Sequence, residues 1–333
     1  MSETLSVEIA PKSIDELLET HDCRSEQSEY GKILSFHTPD GHDVYNITAP
    51  FEYEDSLIIA GRAERRADEI SSLSRFYRYD SAGDTWVYDQ SLPTLSLQDP
   101  FVARIGGQYV VGGVKIFPSL DNPAKIDGWE THIYAGPDLN NLELLTASPY
   151  MMKGVRLAEL RDGRIPVVTR PQGATGGLGK VGVTIVDNLK DINAQVLTDA
   201  PILTGLFADK LGEWGGANEL HPLPDGRIGV IGHAGRFVID EGQKLKEYYG
   251  MSWIIDFRDG TVSDERIIAC RDCFPPTESK KPETKRVVYS GGARLLGNLA
   301  AWYGGIGDAY PGVRPHIPNP FGRVPADNPE KDL

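Results

Sequence analysis

Five polar side chains of complementary chemistry stand at matching places along a sequence of 333 residues. Arg62, Arg170, His233 and Asp308 lie at or just beyond the ends of similar apolar strands, and Asp99, in Gln98-Asp-Pro-Phe101, lies just before another. A carboxyl group shut away from water has its pKa raised and can hold a proton near neutrality, as a general acid must. Cationic side chains gathered around it could bind an anion and orient it for attack. Any one of the five alone is explained as readily by a salt bridge or a turn cap. Together they point to a site.

Three other patterns have the spacing of chemistry without its context. Gly177-Leu-Gly-Lys-Val-Gly182 spells GxGxxG, but a dinucleotide fingerprint follows a strand and opens a helix. Strand-forming Val183-Thr-Ile-Val follows here, so a glycine-rich hairpin loop is expected. Cys270-Arg-Asp-Cys273 has redox or metal spacing, yet the only other cysteine is Cys23. No four-thiolate site can be assembled, and the pair reads as two structural thiols beside the Phe-Pro-Pro turn. Lys280, Lys281, Lys285 and Arg286 read as a solvated loop.

The elements that must position the five residues are strands. The 36 glycines and 23 prolines are spread along the whole length, as many short strands joined by turns require. One amphipathic helix is expected, opened by Ser13 with Glu16 at capping-box spacing. A turn followed by an apolar strand recurs five times, starting at 55, 106, 162, 225 and 297, with spacings of 51, 56, 63 and 72 residues. Each of the first four copies is followed by a hairpin signature, at Arg78–Asp89, Ile133–Leu145, Thr184–Leu197 and Ile254–Ile268. The fifth lacks one, and Lys32–Ile47, which reads as strand, Pro-Asp-Gly turn and strand, can supply it from the front.

The expected fold is therefore all-β: a single five-bladed β-propeller closed by N- and C-terminal strands, with a short N-terminal helix. Residues 1–30 form an N-terminal extension, 31–312 the propeller and 313–333 a Pro-rich tail. A β-sandwich or two β-domains is the alternative. In a propeller the repeated strands, taken as innermost, would bring their polar ends into one central funnel.

Charge narrows the partners. Thirty-four Lys and Arg against 48 Asp and Glu give a net charge of −14, which repels nucleic acid and anionic lipid. No apolar run approaches the length that crosses a bilayer. Three cysteines and a start without a signal-peptide pattern suggest the cytoplasm.

At this point the residues resemble a known family. Ile59-Ala-Gly-Arg62, Gln98-Asp-Pro-Phe101, Lys153 to Arg170-Pro171, Trp214-Gly-Gly-Ala-Asn-Glu219, Gly232-His233-Ala-Gly235 and Tyr303-Gly-Gly-Ile-Gly-Asp308 are similar, in order, to the motifs of glycoside hydrolase family 130. That family comprises five-bladed propellers, mostly β-mannoside phosphorylases with some β-mannosidases. The whole chain is still more similar to domain of unknown function 1861, a family without an assigned reaction. The resemblance implies an inverting, metal-free enzyme that uses no cofactor, takes inorganic phosphate as a possible co-substrate and acts on a small mannoside or related β-glycoside. It makes Asp99 the general acid, working through a sugar hydroxyl. Arg62, Lys153, Arg170 and His233 surround sugar and phosphate, while Asp308 and Tyr303 contact the sugar. Trp214 and Asn218 lie in a matched motif, and Trp214 is a candidate for stacking on sugar; Trp129, Trp253 and Trp302 are read as core.

The departures are Gln98 and Phe101 in place of Glu and Arg, Gly154 in place of Asp, and a stretch from Lys153 to Glu159 one residue short. If water is the nucleophile instead, a second carboxylate roughly 6.5 to 9.5 Å from the acid must act as base, and Glu219 and Glu159 are the candidates. Two other classes stay open. One is a propeller that binds a glycan or protein without catalysis. The other is a hydrolase or lactonase with calcium held on the axis by Glu219, Asn218, Asp99 and Asp308.

Overall fold

The computed structural model describes residues 11–21, 30–66, 68–174, 176–207 and 211–322. Helix α1 (Ile14–Glu19) begins at the expected capping box, with Ser13 and Glu16 each bonded to the other's backbone N–H, and buries Ile14 and Leu17. Everything after it is dominated by strands. β1 (Lys32–Ile33) crosses to the last sheet. β2 (Phe36–His37), β3 (Asp43–Tyr45), β4 (Phe51–Tyr53), β5 (Ser56–Glu64), β6 (Leu73–Asp80) and β7 (Thr85–Tyr88) form the first sheet in the order β2-β7-β6-β5, with β3 and β4 both against β5.

The second sheet is β8 (Gln98–Ile105), β9 (Gln108–Pro118), β10 (Ile126–Gly136) and β11 (Glu143–Ala147), and the third is β12 (Arg156–Leu157), β13 (Ile165–Thr169) and β14 (Gly182–Val186). Next come β15 (Trp214–Pro222), β16 (Ile228–Asp240), β17 (Gln243–Asp256) and β18 (Thr261–Ala269). Last are β19 (Arg286–Leu296), β20 (Leu299–Ile306) and β21 (Tyr310–Pro318), with β1 antiparallel to β21. A two-residue parallel pairing of β17 with β19 joins these last two sets into one eight-stranded sheet.

The turns follow from local chemistry. Glu54 and Asp55 both have positive φ, 48° and 59°, as the two-residue turn between β4 and β5 demands. In the two Asp-Gly-Arg copies, Asp162 and Asp225 accept the N–H of Arg164 and Arg227 at 3.1 Å, and Gly163 and Gly226 supply φ of 84°.

Apolar clusters lie between successive sheets: first with second around Phe76 and Val111, second with third around Ile133 and Val167, and third with fourth around Val168 and Trp253. Phe274 and Trp302 sit in the cluster joining the fourth set of strands to the last. Tyr77 and Trp86 of the first sheet then meet Ala301, Tyr303 and Val313 of the last, so the series of contacts returns to its start.

Four expectations are corrected. The repeated apolar strands β5, β9, β13, β16 and β20 are the second strands of their sets, each flanked on both sides, rather than the innermost. Lys32–Ile47 does not enter the last sheet whole: beyond Ile33 it turns to the first sheet. Phe36 packs there on Tyr77 and Trp86, and Arg75 pairs with Asp40 at 2.6 Å. Thr184–Leu197 is not a hairpin, because Asn193 caps helix α2 (Ala194–Asp199) by accepting the N–H groups of Gln195 and Val196. Residues 201 and 203 instead bond β14 and its lead-in, Val183 N–H to Pro201 and Leu203 N–H to Val181. Finally, β21 runs to Pro318, so the boundary expected at 312 falls inside a strand.

Candidate active site

A cavity of about 280 Å3 collects side chains from all five sets of strands. Arg62 comes from the end of β5 and Asp99 from the second position of β8. Lys153 and Arg156 stand at the entry to β12 and Arg170 just past β13. His233 is on β16, Lys246 and Tyr248 on β17, Tyr289 on β19, and Asp308 in the turn after β20. The second strands end, and their antiparallel neighbours begin, at the same rim. Arg62, Asp99, Lys153, Arg170, His233 and Asp308 thus line one cavity.

Asp99 is held in the left-handed region, φ 50°, at a bulge where the β8–β9 register shifts between Gln98 and Phe101. A residue before proline is ordinarily extended, so this conformation is strained; bulges of this kind re-aim side chains at functional sites. Its Oδ1 accepts from Asn46 Nδ2 at 2.8 Å and from Arg62 at 3.3 Å, and no hydrogen bond from the described residues reaches Oδ2. Asn46 comes this close because Gly305 has no side chain: a Cβ there would sit 1.9 Å from Asn46 Oδ1.

Arg62 is fixed from behind. Buried Glu64 accepts its Nε at 3.0 Å and also bonds Tyr45, Ser72 and Lys280. Lys280 was expected on a solvated loop and is instead buried. Lys281 pairs with Glu69, Lys285 with Asp240, and Arg286 with Asp240 and Glu247. Replacing Glu64 with Ala removes the nearest carboxylate from two buried cations, leaving Arg62 only Asp99 at 3.3 Å and Lys280 only Glu69 at 3.6 Å, and should cost up to about 3 kcal/mol, read by denaturant titration.

The far wall is cationic in another way. Among the described residues no carboxylate lies within ion-pair distance of Lys153, Arg156 or Arg170. Arg170 Nε donates to Gly215 O at 2.5 Å, and its NH2 reaches Leu178 O in the glycine-rich loop. Arg156 donates to Asn218 O and Val155 O, with Phe101 beneath its guanidinium at 4.6 Å. The Lys153 ammonium stands 4.9 Å over the Trp129 ring, and burial, then Arg170, pushes its pKa down to about 8. Burial and the cations Arg170, Lys153 and Arg156 push His233 well below its ordinary value, so its imidazole is neutral. With Asn218 Oδ1 accepting from Nδ1 at 2.8 Å, Nε2 is left as an acceptor. Asp308 goes the other way: burial raises its carboxyl, against the pull of Arg62 and Lys246.

Other expected residues lie elsewhere. Glu219 and Glu159 line a separate cavity of about 570 Å3, on the other side of Arg156. Glu219 is pinned there by Ala293 N–H at 2.7 Å and His221 at 2.8 Å, and Glu159 accepts Gly106 N–H at 2.8 Å. Arg104 lines that cavity too and does not replace the family's arginine beside the acid. Of the four residues considered for an axial calcium, Glu219 and Asn218 line this cavity, and Asp99 and Asp308 line the other. Trp214 stands behind the wall, donating Nε1 to Tyr248 Oη at 3.3 Å, and Tyr303 packs between last and first sheets. Asn218 positions His233 from below.

Sequence reasoning missed Tyr45, Asn46, Glu69, Arg156, Lys246, Tyr248 and Tyr289, and counted Trp129 as core. Lys246 and Tyr248 are two apart on one strand and so share a face; that spacing was the available signal. Burial pushes the Tyr289 hydroxyl up, so it stays a neutral hydrogen-bonding group.

Residues 21–323 match the family described as "Protein of unknown function (DUF1861)". MPT-4, a mannose phosphorylase from Leishmania mexicana solved in complex with a phosphate ion, is 27% identical with a TM-score of 0.83, over 96% of this chain and 98% of that one. MPT-1, a GDP-Man-dependent mannosyltransferase from the same organism, is 28% identical with a TM-score of 0.82, over 94% and 97%. The β-1,2-mannobiose phosphorylase of Listeria innocua is 16% identical with a TM-score of 0.57, over 90% and 94%, and shares the fold. No curated protein matches. No helix among the described residues is long and apolar enough to cross a membrane.

Proposed function

We propose that this chain, which belongs to the DUF1861 family, is a five-bladed propeller enzyme that cleaves a small β-mannoside with inorganic phosphate, inverting the anomeric centre. The observation that carries this reading is a wall of three cations, Arg156 and Arg170 buried and Lys153 half-buried, with no carboxylate in ion-pair reach among the described residues, in the same cavity as Asp99 and Asp308 and in a chain of net charge −14. Such cations are costly unless an anion completes them. The phosphate of the similar mannose phosphorylase, and five strand sets whose contacts return to the first, support it.

In this reading phosphate sits against Lys153, Arg156 and Arg170, oriented before reaction. One phosphate oxygen attacks the anomeric carbon while the bond to the leaving sugar oxygen breaks. Asp99, protonated on Oδ2, supplies the proton to that oxygen, through a sugar hydroxyl. Asp308, whose carboxyl burial pushes up, and neutral His233 are placed to hydrogen-bond sugar hydroxyls. In the reverse direction Asp99 takes the proton from the attacking hydroxyl.

Water as nucleophile finds less support. A base must be an ionised carboxylate opposite the acid, and the candidates Glu219 and Glu159 belong to the other cavity. Glu159→Gln should therefore keep turnover within about twofold, measured as initial rate on the same substrate; a loss like that of an acid or base, about 10²-fold or more, would favour hydrolysis. The volume, at the lower end for small-molecule sites, suits a sugar with phosphate better than a nucleotide diphosphate sugar. The test is incubation of the protein and a mannose acceptor with α-mannose 1-phosphate or GDP-mannose. Release of orthophosphate from the first supports this reading; GDP from the second alone would make the protein a transferase, and neither would leave a hydrolase or a binding protein.

A further inference from the structure

His21 follows helix α1, while Cys270 and Cys273 flank a tight turn after β18, and the fold brings the three together. Cys270 Sγ and Cys273 Sγ are 3.3 Å apart, and His21 Nε2 is 3.5 Å from Cys273 Sγ. The sulfurs are far outside the roughly 2.05 Å of a disulfide bond. Tetrahedral zinc with bonds of about 2.3 Å to sulfur and 2.0–2.1 Å to nitrogen would hold its ligands roughly 3.8 and 3.6 Å apart. The cluster is thus within a few tenths of an ångström of a chelate.

The surroundings fit that use. Both thiols are buried, and Cys270 N–H donates to Cys273 Sγ at 3.4 Å. Two thiolates and an imidazole are the donor set of a borderline-soft divalent ion. None of the three lines the candidate active site. Among the described residues no fourth His, Cys, Asp or Glu joins them, which leaves one corner to water or to a group outside those residues.

We infer that His21, Cys270 and Cys273 bind a zinc ion that fastens the N-terminal segment to the body of the fold. The segment is otherwise tied at separate points: Ile14 N–H to Glu213, Gly31 N–H to Cys273 O and Tyr30 Oη to Phe274 O. The pair alone read as structural thiols because its third donor is 252 positions from Cys273.

The test is metal analysis of the full chain, purified in reducing buffer, equilibrated with micromolar Zn2+ and desalted. One zinc per chain is expected, released in step with thiol modification by a mercurial, and Co2+ in its place should show thiolate charge-transfer absorption. His21→Asn, at a half-buried position, should weaken zinc binding about tenfold or more, and Cys270→Ser further. Wild-type protein without zinc, a Cys270–Cys273 disulfide in its place, or zinc unchanged in the Cys270→Ser/Cys273→Ser double variant would overturn the site. Because the thiol titration uses the wild-type chain, the outcome does not depend on a variant folding. Chelation should lower the melting temperature, and phosphate-dependent turnover of the folded enzyme should survive it, which separates this site from the proposed reaction.

Discussion

Asp99→Asn should lower turnover of a β-mannoside about 10³-fold, within the range of general acid catalysis, while the protein folds and binds sugar and phosphate as before. Asparagine keeps the shape, tolerates the left-handed backbone at φ 50° better than most residues, and still offers Oδ1 to Asn46 and Arg62. The loss should fall on kcat rather than on KM, because the proton is needed only as the bond breaks. A substrate whose leaving group needs no proton should restore much of the rate to the variant. If Asp99→Asn retains full turnover, the acid is another group, with Asp308 the next in the same cavity.

Orthophosphate should raise the melting temperature of the wild-type protein, by roughly 5 °C at a hundred times its Kd, and Lys153→Met should abolish that rise. The sign with pH follows from Lys153. Its ammonium has an ordinary value of 10.5 and is pushed to about 8 by burial and Arg170, so the fold disfavours the charged form. Without ligand this lysine costs stability below pH 8, and the cost is relieved as pH rises from 8 towards 10.5. Bound phosphate favours the ammonium and reverses the preference. Phosphate stabilisation should therefore be greatest below pH 8 and fade above it, and KM for phosphate should rise over the same interval. The unliganded Lys153→Met variant should melt at or above the wild-type temperature, since it removes a buried charge, while its turnover falls about 10²-fold. Scanning calorimetry across pH, with and without phosphate, checks the melting temperatures, and initial rates over the same range check KM and turnover; a phosphate effect independent of pH and of Lys153 would place the anion elsewhere.

Much of the site was legible because strand ends carry it. Arg62, Arg170 and His233 each sit in or just past a second strand whose apolar run is unmistakable, and Asp99 is part of the conspicuous Asp-Pro at the start of β8. Even though those strands are not innermost, their ends meet the starts of the first strands at one rim. What could not be read was contact between sheets. Glu219 looked like a second carboxylate because it shares a motif with Trp214 and Asn218, but it lies only one residue past Asn218, at a β15 bulge between Ala217 and Glu219, and it lines the other cavity. Arg156 and Tyr289 carry no local pattern, and their place depends on the third sheet and the last set of strands lining one cavity. Lys280 looked solvated in a run of bases because its partner Glu64 is more than two hundred residues away. The Phe36 and Arg75 contacts that draw residues 36–45 to the first sheet are equally invisible in a hairpin pattern.

The claim that phosphate is the nucleophile is tested most directly by anomer-resolved NMR of the products formed from β-linked mannosides, with and without orthophosphate. The account predicts α-mannose 1-phosphate, the inverted product, formed only when phosphate is present. Free mannose released at the same rate without phosphate would contradict it.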